Sequence, residues 1–315
     1  MNDLNKKKYY SDDLHLKELF SILWSNKKFI LLVISLFSLA SIFYSLSLPN
    51  IYTAETVLSS ASKDPVSGLT SQYSGLASLA GINLPSGNDS VEVAIALVRS
   101  KRLVAKLMRG DDFLPNLLAV KKWDMSSGEI IYDQSRYDVT NKKWVRKYAS
   151  PFQQTPSVSE AFKKFSKIVS ISQNQQTELI TVTVSHHSPV IAQKWALDIV
   201  REVNNIVANM IIIESQNTIN FLNEQIKITP YAELRTRFFE LIQKSTQDMM
   251  LVKVNPEHAL STIDPPLIPE MKSKPNRAMI CILVASLGSL IAVLIILIRH
   301  YIFNQKNELR LFDWW

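Results

Sequence analysis

Two uninterrupted apolar runs bracket a long stretch of mixed pattern. Residues 29–48 (FILLVISLFSLASIFYSLSL) form 20 positions without a charge, and residues 278–298 (AMICILVASLGSLIAVLIILI) form 21. At ~1.5 Å per residue each reaches about 30 Å, the thickness of a bilayer's hydrocarbon core. The pattern predicts two transmembrane helices, because core helices of soluble proteins are rarely so long and so evenly apolar. The first run is expected to stay in place rather than be cleaved. It is preceded by 28 mostly polar residues, it exceeds a signal peptide's apolar stretch, and residues 45–49 offer no small-residue cleavage site. Just before it, Leu16, Leu19, Phe20, Leu23 and Trp24 share one helical face, with Ser11, Asp12 and Asp13 as capping candidates. Residues 1–28 are therefore read as a segment carrying an amphipathic helix that lies on the inner leaflet and runs into the first span.

Between the spans the periodicity changes several times. Residues 52–58 (YTAETVL) alternate as a strand does. Residues 59–90 hold four of the seven glycines (Gly68, Gly75, Gly81, Gly87) together with Leu69, Leu76, Leu79, Ile82 and Leu84, which reads as a loop that docks on something. Residues 91–108 are helical in pattern, with a break near Ser100. Residues 123–148 mix aromatics and turn signals, as short strands or loops do. A short helix is expected after Pro156, and residues 177–185 (TELITVTVS) read as a strand on β-branched content. Ser188 and Pro189 then open a long helix, serine at the cap and proline in the first turn where its missing N–H costs nothing. No breaker follows until Ile228, and Thr229-Pro230 repeats the start signal for a second helix to about Lys253. The 189–254 arm looks like a kinked or folded-back helix. Its apolar stripe, Ile199, Val203, Ile206, Met210, Ile213, Ile219, Leu222 and Ile226, calls for partners along its length, which neighbouring copies could supply. Residues 261–269 are held extended by Pro265, Pro266 and Pro269, and lead through Pro275 into the second span.

Charge sets orientation. Lys17, Lys27 and Lys28 precede the first span, and the next basic residue after it is Lys63, so the N-terminus is expected in the cytoplasm. Two spans return the tail, residues 299–315, to the same side. Lys272, Lys274 and Arg277 flank the second span on the outer side against this trend, but the first helix usually dominates. Residues 49–277 carry 26 Lys/Arg and 22 Asp/Glu without a basic cluster, so the formal net charge of +7 is not a nucleic-acid footprint. The one cysteine, Cys281, lies inside the second span, which leaves the central domain without a disulfide.

Candidate chemistry is sparse. His186 and His187 are adjacent on a strand and so point to opposite faces, unsuited to one metal. No phosphate-binding glycine loop, nucleophile elbow or H-E-x-x-H stretch occurs, and no cofactor is expected. Asp198 and Glu202 share a helical face and come nearest to an acid pair, though surface ion pairing is the simpler role. In the spans, Ala285 and Ser289, and likewise Gly288 and Ala292, lie four apart. This spacing lets helix backbones approach closely and complements the hydroxyl stripe Ser35, Ser38, Ser41, Ser45. Neither span holds an internal charge, so a proton relay or ion path is not expected.

The layout resembles the Wzz family of polysaccharide co-polymerases, the chain-length determinants of bacterial lipopolysaccharide O-antigen. The likeness is carried by the amphipathic lead, residues 52–58, the 74–82 loop (SGLASLAGI) and His187-Ser188-Pro189. Its most specific part is residues 264–277 (DPPLIPEMKSKPNR), which run straight into the second span. The resemblance implies an α+β membrane protein in which two transmembrane helices flank a periplasmic α/β base domain with a long extended helix. It implies a ring-like homo-oligomer in the inner membrane, and no enzymatic activity. Its partners would be the O-antigen polymerase and, as a further contact, lipid-linked polysaccharide. Related capsule and exopolysaccharide proteins continue into a cytoplasmic tyrosine kinase, and 17 residues follow Ile298 here, which favours the O-antigen type. Oligomer or polymerase contacts are expected at Pro265, Pro266, Pro269, Pro275, Ala285, Gly288, Ser289 and Ala292. An export adaptor for capsule or exopolysaccharide is the main rival. A two-span sensor would need a cytoplasmic output module, and a polymerase would need many more spans.

Overall fold

The computed structural model describes residues 16–60, 89–150 and 152–311. The capping candidates Ser11, Asp12 and Asp13, most of the 59–90 loop and the last four residues of the tail lie outside them. In chain order the elements are α1 (Leu16–Ser25), α2 (Lys27–Ser47), β1 (Tyr52–Ser60), α3 (Asp89–Val98), α4 (Lys101–Leu107), α5 (Phe113–Leu118), β2 (Val120–Trp123), β3 (Ile130–Tyr132), β4 (Tyr137–Asp138), β5 (Lys143–Trp144), α6 (Val158–Ile168), β6 (Val169–Gln173), β7 (Ile180–His186), α7 (Pro189–Ile228), α8 (Ala232–Val254), β8 (Leu260–Asp264) and α9 (Arg277–Leu311). They form two compact units, one holding the apolar helices and the other spanning Pro49–Ser273.

In the larger unit a four-stranded antiparallel sheet, ordered β6-β7-β1-β8, supplies the base. One face of it is buried. Ala54, Thr56 and Leu58 of β1 stand opposite Val184, Val182 and Ile180 of β7, and Val169 and Ile171 of β6 continue the layer. Ile180, Val182 and Val184 of β7 all face inward. The core continues through Leu103, Val104, Phe113, Phe165, Trp195, Ile199 and Val203. Phe113 lies 4.9 Å from Trp195 and 6.2 Å from Phe165 between ring centroids, filling the space between three helices with aromatic contact.

The helix starts follow local chemistry. The break near Ser100 is a new cap: its hydroxyl accepts from the Leu103 N–H and opens α4. Ser157 caps α6, with the Glu160 carboxylate reaching back to the Ser157 N–H in a reciprocal capping box. The same Glu160 is held by both Arg146 guanidinium nitrogens at 2.7 and 2.8 Å, so its carboxyl lies below the usual carboxylate range. Ser188 caps α7, which runs 40 residues, about 60 Å.

Two expectations are corrected here. Thr229 does not open the second arm helix. It closes α7, its N–H and hydroxyl both bonding the Gln225 carbonyl, and α8 starts at Ala232 after Tyr231, which supplies no side-chain cap. The stripe from Ile199 to Ile226 is not one continuous buried face either. Ile199, Val203 and Ile206 lie in the base core, whereas Met210 and Ile213 are exposed, and farther out only Ser215 and Leu222 are buried. Packing against the sheet fixes the first half, and a different partner, α8, fixes the second.

In the smaller unit α1 is separate from α2, the chain turning at Asn26. Helices α2 and α9 are both long and apolar enough to cross a membrane, each holding an 18-residue window of high mean hydropathy, 2.4 within Lys27–Ser47 and 3.0 within Arg277–His300. Their flanks, including Leu31, Leu36, Phe43, Ile282 and Leu290, are exposed, as suits lipid-facing surface and not a soluble core.

Candidate functional site

Among the described residues, no constellation of nucleophile and base is evident. Its distinctive features are the seam between the apolar helices, the end of the base at which the chain enters and leaves it, and the projecting arm.

The seam uses part of the residue set expected from sequence. Gly288, Ala292 and Ile296 recur every fourth position of α9 and are buried. A Cβ on Gly288 would stand 2.9 Å from both Cβ and Cγ of Phe37, too close for any side chain without a shift of the helices. On α2, Ser41 and Ser45 are buried while Ser35 is exposed, so two of the four stripe serines face inward. Ala285 and Ser289 are half-buried, and the Ser289 hydroxyl returns to the Ser286 carbonyl at 2.7 Å.

At the base, both connecting segments are tied to the same place. The Ser273 N–H donates to the Ile51 carbonyl at 2.8 Å, and His187 Nδ1 lies 3.2 Å from the Asn50 carbonyl oxygen. The junction then lies along the start of α7, where Gln193 Nε2 donates to the Pro266 carbonyl at 3.1 Å. Of the expected prolines, Pro266 is buried, Pro269 and Pro275 are half-buried and Pro265 is exposed. Leu267 and Met271 between them face outward. Because the prolines lack N–H donors, the segment leaves the sheet after Asp264 and is held at two points, the Pro266 carbonyl and the Ser273 N–H.

Three polar residues that sequence patterning did not single out for this role hold the base together. Asn204, on the apolar face of α7, is buried and makes three bonds to the returning chain. Its Nδ2 donates to the Leu260 carbonyl at 2.9 Å, and its Oδ1 accepts from the Ala259 and Leu260 N–H groups at 3.0 and 2.9 Å. An asparagine between Val203 and Ile206 was a visible signal of such a tie. Thr56, inward on β1, donates to the Asp264 carbonyl at 2.9 Å. His186 is buried with both ring nitrogens engaged: Nε2 donates to the Asn116 carbonyl at 2.9 Å and Nδ1 accepts the Ser188 N–H at 3.0 Å. Its ring also meets Trp195 edge-on at 5.1 Å. Burial pushes its pKa down to about 4, so the neutral ring with the proton on Nε2 is the form that fits. His186 is thus a structural link between β7, α5 and the α7 cap.

Asp198 and Glu202 do come together, on one wall of an open cleft of about 510 Å³ beside Lys106, Arg109, Lys194 and Trp195. Asp198 is paired with Arg201 at 3.3 Å, the surface role expected of it.

The arm begins where the base ends. From Asn204 to Ile228, α7 advances about 35 Å, and the 23 residues of α8 cover the same distance back to Ala259. The two helices pack along each other through Leu222 and Val252. Phe221, Tyr231 and Phe239 stay exposed, leaving aromatic surface on both helices of the hairpin.

Residues 12–110 match the family model described as Wzz, chain length determinant protein. Among solved structures, a full-length bacterial polysaccharide co-polymerase shares 14% identity at a TM-score of 0.40, over 92% of this chain and 98% of that one. A fragment of WzzB, the polysaccharide co-polymerase from Salmonella Typhimurium, shares 11% identity at a TM-score of 0.32, over 71% of this chain and all of that fragment. A search of curated proteins returns no match. The likeness to the Wzz chain length determinant model thus extends over residues 12–110, less than half of the chain.

Proposed function

We propose that this chain is a non-catalytic regulator of O-antigen chain length in the bacterial inner membrane, acting as a homo-oligomeric co-polymerase beside the membrane polymerase that joins lipid-linked repeat units. Chain-length determination is the function that the matched domain carries. The observation that gives it a physical form is the arm. A hairpin about 35 Å long, bearing exposed Ile213, Phe221, Tyr231 and Phe239, presents apolar surface far from its own core. A second copy of the chain is the partner best matched to it, because a repeated arm offers the same length and apolar residues.

In this reading α2 and α9 cross the membrane, both ends of the chain lie in the cytoplasm and the sheet-based unit lies in the periplasm, following the basic residues before the first span. Pro265, Pro266, Pro269 and Pro275 stiffen the passage from sheet to span. The outward sides of Ala285 and Ser289 remain for contact with the polymerase or another copy, while Gly288 and Ala292 act through the pairing of α2 with α9.

The test is the lipopolysaccharide ladder on a gel from cells with and without the gene. Length control requires a tight cluster of chain lengths that decays into a broad distribution when the gene is removed. An unchanged ladder excludes the O-antigen assignment.

A further inference from the structure

The open cleft beside the start of α7 measures about 510 Å³, within the ~300–1,000 Å³ of small-molecule sites. It is lined by one side of α7, by the end of α4 and by the turn that leads into α5. That turn is held by its own backbone, the Gly110 N–H donating to the Leu107 carbonyl at 3.1 Å and the Phe113 N–H to the Gly110 carbonyl at 3.2 Å. Ile191, Phe113 and Trp195 supply the apolar part of the lining, and the last two are fixed by their ring contact in the core. The rest is charged and of both signs. Lys106, Arg109 and Lys194 are cationic, and Asp111, Asp112, Asp198 and Glu202 are anionic. Among the described residues none of these forms an ion pair with another, and Asp198 is bound instead to Arg201, outside the lining. Glu202 is half-buried, and its Oε2 is shielded from solvent with no hydrogen-bond partner in the protein. An oxygen so placed is costly until a donor reaches it.

Three cations against four carboxylates leave the cleft with little net field, so neither an anion nor a cation is drawn in by charge alone. The carboxylates do not gather around a metal position either: among the described residues no three acidic, histidine or cysteine side chains could hold a metal ion. A ligand that answers both signs must donate and accept through the same groups, and a hydroxyl does this. Hydroxyls facing the carboxylates donate, those facing the lysines accept, and each such bond is strengthened by the charge of the protein partner. The C–H face of a pyranose ring suits the apolar part of the lining. We propose that the cleft binds a neutral saccharide, a short stretch of the polymer whose length is regulated. Glu202 and Asp198 accept from its hydroxyls, Lys106 and Lys194 donate to its oxygens, and Ile191 and the edge of Trp195 meet the ring. That the sugar belongs to this polymer rests on the chain-length reading of the protein.

Titration calorimetry of the full chain in lipid nanodiscs tests it, with oligosaccharides of one and two repeat units cut from the cells' own lipopolysaccharide as the probe. The oligosaccharides should bind. Glu202→Gln and Lys106→Met should each weaken binding by about tenfold, the effect of one hydrogen bond to a charged group. Glu233→Gln, out on α8 of the arm, should leave it unchanged. Because the ligand is neutral, affinity should hold between low and high salt. No binding, an unchanged affinity in both cleft variants, or an equal loss in Glu233→Gln overturns the site. A tenfold loss on adding salt overturns the neutral sugar in favour of an ion. Failure of the chain-length reading looks different: the lipopolysaccharide ladder would not change when the gene is removed, whatever the calorimeter reads. A ladder that depends on the gene, together with no binding, overturns the cleft alone.

Discussion

The two halves of α7 belong to one unbroken helix and do opposite things. In the base half, Ile199, Val203, Ile206 and Val207 are buried against the sheet, and Asn204 spends its full side-chain capacity on the returning chain. In the arm half, Ile213 is 61% exposed and, on the facing helix, Phe239 is 57% exposed, with Leu222 the one apolar side chain of that half fully covered. The hydrophobic residues are alike in kind, so residue type alone does not decide burial. The base half has a sheet, three helices and a polar tie around it, while the arm half has a single neighbour. One helix therefore serves as foundation at one end and as display at the other, and the continuity of the backbone transmits the rigidity of the first to the second.

The comparison can be broken most severely in the base. Trp195→Ala removes a ring packed against Phe113 and His186, and should cost about 3–5 kcal/mol of the large unit's stability. Thermal or denaturant unfolding of the purified chain measures it, and a loss below about 1 kcal/mol would mean this part of the base is not a closed core. Acid should act through the neighbouring His186. Its folded pKa of about 4 lies below the ordinary 6.5, so the unfolded chain binds the proton first as pH falls. Stability is complete above about pH 6.5 and falls by about 3 kcal/mol down to pH 4, then levels off. His186→Gln, whose amide can still donate to Asn116, should flatten that pH slope. Asn204→Ala leaves two N–H groups and a carbonyl of residues 259 and 260 without partners, and should cost about 2–3 kcal/mol. The smallest effect belongs to the arm. Ile213→Ser with Phe239→Ser should change unfolding by less than about 0.5 kcal/mol per site, because both side chains are already in solvent. The same pair should shift the oligomer distribution, read by sedimentation in detergent, towards smaller species.

What could be seen in the sequence was local, and what was missed depends on context. Ser188-Pro189 carries its own cap and φ restraint, so the start of α7 follows from two residues. Gly288 and Ala292 were legible because four-residue spacing of small side chains places them on one face, and the contact with Phe37 shows the face in use. Thr229-Pro230 looks like Ser188-Pro189 in composition, yet the threonine hydroxyl turns back to Gln225 and ends a helix. Nothing within the dipeptide distinguishes the two cases. Strand β6 follows α6 without a breaker, and its alternation of Val169 and Ile171 is too short to register before β7 pairs with it. Helix α5 contains Pro115 near its start and was overlooked for its length of six residues. Asn204 was visible within an apolar stripe, but its three partners lie 55 and 56 positions away, beyond the reach of any periodicity.

The most direct test of the central claim is the lipopolysaccharide ladder from a deletion strain supplied with either the natural chain or the chain carrying Ile213→Ser and Phe239→Ser. The account predicts that the natural chain restores a tight cluster of lengths, and that the variant, present in the membrane at the same level, gives a broadened or shifted one. Identical clusters from both would contradict the role of the arm, and the absence of any cluster with the natural chain would contradict chain-length control itself.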